Sequence, residues 1–225
     1  MLTVRIDLIG AHPPIWRWLE LWSDLTLDKV HALIQAVFEW ENSQLHEFAS
    51  LSADGTMVEQ RFESHFQQEV SKDMDLGLGG ASPMGDEEEA TLGSLLRKQG
   101  DMLFYTYDFG DSWEHKIALE KVLPADPGMP LAKCAGDAKA GPPDDCGGIW
   151  NYLQLVDMLK HPDHPDYKLY EDQIEWVFGE GDIDPNNFDQ VRAQRRVERA
   201  IATDFQVWWL DDDSRDISEH AFPGA

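Results

Sequence analysis

The 225-residue sequence predicts an α+β fold, with an N-terminal β-β-α-β unit and a central antiparallel hairpin in one mixed sheet, packed by C-terminal helices. Three observations carry that prediction. Residues 2–9, LTVRIDLI, alternate apolar and polar side chains with the period of a half-buried strand. Two strand-forming runs, 102–107 and 112–123, are separated only by DFGD. Beyond residue 148 the apolar residues recur at helical spacing.

Taken in order, Pro13 and Pro14 end the first strand, and a tryptophan-rich second strand runs from Ile15 to Trp22, its tryptophans read as core. Thr26 is expected to cap a helix in which Val30, Leu33, Ile34, Val37 and Phe38 share a face, ending near Trp40. Leu45–Leu51 reads as a third strand. Residues 53–90 are polar and glycine-rich, ending in four acids at 86–89, and read as an elaborated insertion. Within it FESHFQQEV is compatible with a short strand or helical turn, and TLGSLLR (91–97) beyond it fits a short helix. Residues 124–148 read as a loop holding both cysteines. One helix should follow Gly148, a second should carry Tyr167, Tyr170, Ile174, Val177 and Phe178, and a third should open at Asp184-Pro185, anchored by Phe188, Val191 and Ile201. Residues 1–202 are therefore expected to form one domain, with an acidic tail at 203–225 docked by Trp208 and Trp209.

Charge narrows the function classes. Forty-three acidic residues against eighteen basic ones give a net charge of −25 and a pI near 4.4. Such a surface repels a phosphate backbone, so direct nucleic-acid binding is not expected. It suits a basic protein partner, a cation, or mimicry of nucleic acid. No stretch has the ~20 apolar residues of a membrane span, and the N-terminus lacks a secretory pattern. Two cysteines make no disulfide framework, which favours a reducing, cytoplasmic setting.

Two segments concentrate chemistry. In YDFGDSWEH (107–115), Asp108, Phe109, Gly110 and Asp111 form the hairpin connection, with Gly110 expected at positive φ. Trp113 and His115 then share the apolar face of the following strand. One reading is a tight turn whose aspartates bond its own amides; the other is a site built from Asp108, Asp111 and His115. In GPPDDCGGIWNY (141–152), Asp144, Asp145, Cys146, Gly147 and Gly148 precede a helix, and the carboxylates suit a hard cation better than a phosphate. Together the segments predict a polar pocket of Tyr107, Asp108, Asp111, Trp113, His115, Asp144, Asp145, Cys146, Gly147 and Gly148. A divalent metal is the candidate cofactor, with Asp111, His115, Asp145 and Cys146 as its ligands. The catalytic candidates are His115 as base with Asp108 and Asp111. Cys134 and Cys146 lie too far apart for a zinc ribbon and read as free thiols. Arg192, Arg195, Arg196 and Arg199 share a helix face read as pairing with the acidic body, and HPDH (161–164) reads as a surface turn.

These motifs resemble one family, the plasmid pRiA4b ORF-3-like proteins. The resemblance runs through PPIWRWLEL (13–21), the helix from Thr26 to Trp40, QLHEF (44–48), YTYDFGDSWEHKIALEKV (105–122), CAGDAKAGPPDDCGGIWNY (134–152), HPDH and IDPNNFD (183–189). Trp18, Asp144 and Asn151 stand where the family usually has arginine, glutamate and glycine. The resemblance implies an α+β domain of plasmids and mobile elements whose biochemical role is not established. The residues themselves suggest a non-enzymatic binding module, with a metal-dependent hydrolase or nuclease-like enzyme as the alternative and an acidic nucleic-acid mimic as a weaker one.

Overall fold

Alternation along the first strand decides how the sheet sits on its core. In β1 (Leu2–Leu8), Leu2, Val4, Ile6 and Leu8 are buried while the residues between them are half-exposed. The structure, a computed structural model, describes residues 1–52, 57–68, 84–124, 126, 128–179 and 184–205. The acidic tail from residue 206, with Trp208 and Trp209, lies outside the described residues.

The protein is α+β, built on an eight-stranded mixed sheet in the order β5-β4-β3-β6-β7-β1-β2-β8. Its remaining strands are β2 (Trp16–Leu21), β3 (His46–Leu51), β4 (Val58–Glu63), β5 (Met84–Asp86), β6 (Met102–Tyr107), β7 (Trp113–Val122) and β8 (Ala132–Ala138). All neighbours are antiparallel except β4 and β5. The helices are α1 (Leu27–Phe38), α2 (Leu92–Leu95), α3 (Gly148–Lys160), α4 (Tyr167–Phe178) and α5 (Gln190–Ala202). Helix α1 lies over the sheet, with Phe38 against His115 of β7 and His31 against His46 of β3. Helix α5 packs on α1 and β8, and α3 packs on α4. Among the described residues no helix is long and apolar enough to cross a membrane.

Several local expectations are corrected. Thr26 precedes α1 but makes no side-chain cap; the amides of Leu27 and Asp28 donate instead to the carbonyl of Glu87. Strand β8 occupies the predicted loop. Its small residues carry little strand signal, and its edge is satisfied by α5, where Gln194 accepts from the Cys134 amide and Gln190 donates to the Cys134 carbonyl. The predicted insertion contributes β4 and β5. Asp184 caps no helix: its carboxylate accepts from Asn186, and α5 starts later, at Asp189, whose side chain accepts from the Arg192 amide. Val191 is exposed, and α5 buries Ala193, Val197 and Ala200 instead. In β2 the expected inward tryptophans, Trp16 and Trp18, are half-buried. Arg17 takes the inside position, stacked between Phe38 and Phe188.

Candidate functional site

The two chemistry-bearing loops do meet. Asp108 follows β6 in a left-handed conformation, φ 55°, and its carboxylate accepts from the amides of Gly110 and Asp111. The hairpin closes when the Ser112 amide donates to the Asp108 carbonyl. Positive φ falls on Asp108 and Ser112, not on Gly110. The carboxylate of Asp111 then accepts from the Gly147 amide at 2.8 Å, joining the turn to the start of α3. Gly148 is required there, because φ is +77° and a Cβ would stand 2.5 Å from the Asp111 carbonyl oxygen. The 142–145 stretch is fixed from below by Trp40, whose indole donates to the Pro142 carbonyl.

This junction gathers carboxylates. Ligand atoms of Asp108, Asp144 and Asp145 all lie within 4.8 Å of one another. Asp144 accepts from the Tyr107 hydroxyl at 3.0 Å, and Asp145 accepts from the Gln44 amide group at 3.2 Å. Burial, reinforced by the neighbouring Asp145, raises the Asp144 carboxyl above its ordinary value, while the Tyr107 hydrogen bond opposes the shift. Asn151 is inside α3, and its side chain donates to the Cys146 carbonyl.

His115 does not belong to this junction. Its ring is fully buried among Phe38, Trp40 and Tyr105, with centroids 4.8, 5.4 and 5.5 Å away. Nδ1 bonds the Trp113 carbonyl oxygen, and Nε2 has no partner. Burial pushes its pKa down to about 3, so the imidazole is neutral. Trp113 is equally buried. Cys146 is a buried free thiol raised to about 12 by burial and then by Asp111. The carboxylates brought within 4.8 Å of one another are those of Asp108, Asp144 and Asp145, not the predicted set of Asp111, His115, Asp145 and Cys146. Cys134 is also a free buried thiol. On α5, Arg192 pairs with Glu39 and Arg196 donates to the Trp40 carbonyl, in keeping with a cationic face turned to the protein's own body.

A second polar cluster was not anticipated. His31 on α1 stacks on His46 of β3 with ring centroids 3.5 Å apart and planes within 4°. The hydrogen bonds assign one tautomer. The Gln35 side-chain oxygen accepts from the Asn42 amide, so its nitrogen donates to the Tyr105 hydroxyl. That hydroxyl donates to His31 Nδ1, and His31 Nε2 donates to the Asn42 side-chain oxygen. His46 Nε2 meets the carboxyl of Glu87 at 2.9 Å. Burial holds His46 down at about 3. It pushes Glu87 up to about 8, aided by Asp28 and Asp86. The sequence carried a faint signal. His31 and Gln35 interrupt the apolar face of α1, and His46 alternates with buried Phe48.

Comparison with known proteins places this architecture. The family model described as plasmid pRiA4b ORF-3-like protein matches residues 1–192. An uncharacterized protein, y4hQ, of Sinorhizobium fredii is 28% identical over 196 residues, covering 85% of this chain and 88% of the relative. A crystal structure of a protein of unknown function from Methanosarcina mazei Go1 is 31% identical with a TM-score of 0.68, covering 84% of this chain and 95% of that one.

Proposed function

The chain belongs to the plasmid pRiA4b ORF-3-like protein family, and on that premise we propose a non-enzymatic binding module of mobile-element context whose carboxylates at the DFGD–PPDDCGG junction receive a basic side chain of a protein partner. The observation that carries the reading is the convergence of Asp108, Asp144 and Asp145 within 4.8 Å, with no cationic partner of theirs among the described hydrogen bonds and ion pairs. On the same two segments Phe109 and Trp150 are exposed, Trp150 by 77%, and exposed aromatics are enriched at protein interfaces. The net charge of −25 would steer a basic surface toward it.

A second reading has one observation in its favour. Three carboxylates at this spacing suit a hard divalent cation. The hydrolytic version of that reading loses its base, because His115 is enclosed by rings out of reach of a substrate and burial makes its imidazole a weak base. Affinity capture from host lysate, run beside an Asp144→Asn/Asp145→Asn double variant and Trp150→Ala, tests the first reading. A basic protein retained by the wild type, released by salt and lost from the double variant is the expected result. Equal retention by both would refute it. Calorimetry with Mg²⁺, Mn²⁺ and Ca²⁺ tests the second: saturable heat that Asp144→Asn abolishes supports it, and flat titrations remove it.

A further inference from the structure

Beside the stacked histidines lies a cavity of about 350 Å³, within the ~300–1,000 Å³ range of small-ligand sites. Every charged side chain that lines it is acidic: Asp28, Glu87, Glu88 and Asp204. Glu87 is almost fully enclosed, and its direct side-chain partner is His46. It faces Asp28 from α1, Glu63 from β4, Tyr105 from β6 and Asp86 beside it, none of them a cation at neutral pH. Asp28 Oδ1 is buried with no hydrogen-bond partner. Buried carboxylates without countercharge are costly. The rest of the lining is mixed: Asn42, Gln44, Ser64 and Gln67 are polar, while Ala32, Leu45, Phe66, which is 69% exposed, and Phe205 are apolar. Lys29 already places its ammonium 5.8 Å over the Phe205 ring, outside the lining.

We propose that this cavity binds a small organic cation, a primary ammonium or guanidinium on a short apolar stem. Its N–H groups would donate to Glu87 and Asp28, and its stem and charge would rest on Phe66 and Phe205. A bare metal ion fits less well. Among the described residues the group of side chains spaced to hold one is the separate trio of Asp108, Asp144 and Asp145. Glu87, whose pKa is about 8, would bind the cation as carboxylate and release its proton.

The test is calorimetry on the full chain with n-butylguanidinium and n-butylammonium, with n-butanol as the neutral comparison, in buffers of different ionisation enthalpy. Saturable binding of both cations is expected at pH 7, with close to one proton released and with guanidinium affinity rising from pH 6 to 9. Glu87→Gln should weaken binding by at least about tenfold and Phe66→Ala by at least about threefold. Asp144→Asn should leave it unchanged, which separates this cavity from the carboxylate trio. Phe66 is exposed, so its variant keeps the test decisive even if Glu87→Gln folds poorly. Binding no better than n-butanol, binding indifferent to Phe66→Ala, or binding lost in Asp144→Asn would each overturn the proposal.

Discussion

Among the described residues three imidazoles, His31, His46 and His115, are enclosed, and each is kept neutral by burial. His46 and His115 are both pushed down to about 3 from 6.5, and His31 is also held well below its usual range. Between about 3 and 6.5 the unfolded chain therefore binds protons that the folded chain refuses. The stability is present above the unfolded value and is lost as pH falls, with a slope of about 1.4 kcal/mol per pH unit for each histidine. Glu87 works in the other direction. Its folded pKa lies near 8 and its unfolded one near 4.5, so stability declines as pH rises between them. Urea denaturation across pH 4–9 checks both limbs. His115→Phe should fold and make the acid limb shallower by about one proton, since the aromatic cage accepts a ring and the unpartnered Nε2 disappears. Glu87→Gln should flatten the limb above pH 5. An unchanged acid slope in His115→Phe would mean that the imidazole is solvated.

At the scale of elements, the contact between the β6–β7 turn and the start of α3 depends on a residue without a side chain. Gly148→Ala would force a methyl group to 2.5 Å from the Asp111 carbonyl at a φ of +77°. A loss of more than about 1 kcal/mol is expected, read as a lower urea midpoint, together with loss of protection of the Gly147 amide in hydrogen exchange. Much of this junction was legible in advance. Glycines, aspartates and prolines at a strand end and a helix start announce turn chemistry whatever the rest of the chain does. The burial of His115 was legible too, through its alternation with Trp113 and Ile117. What alternation could not tell is that the face it shares is closed by Trp40 and Phe38 from α1. The cluster of His31, His46 and Glu87 was hidden for a different reason. Each residue sits in an ordinary local pattern, Glu87 within a run of four acids, and only the tertiary pairing of α1, β3 and the 86–89 turn singles one of them out. Strand β8 was missed because AKCAGDA owes its extension to β2 and α5 more than to its own propensity.

For the whole molecule, a net charge of −25 means that compaction works against self-repulsion. Added salt should therefore stabilise. Raising NaCl from 0.05 to 0.5 M is expected to lift the melting temperature by about 2–4 °C, equivalent to roughly 1 kcal/mol for a chain of this size. A fall in melting temperature would mean that ion pairs outweigh repulsion.

The place of β1 between β7 and β2 has its own consequence. In chain order β1 comes long before β7, its neighbour on one side. One of its two flanking ladders needs residues 115–122, so that seam stays open until β7 has been synthesised. Until then the alternating LTVRIDL segment presents an unclaimed row of amides and carbonyls, and a nascent-chain chaperone would find its handle in this strand.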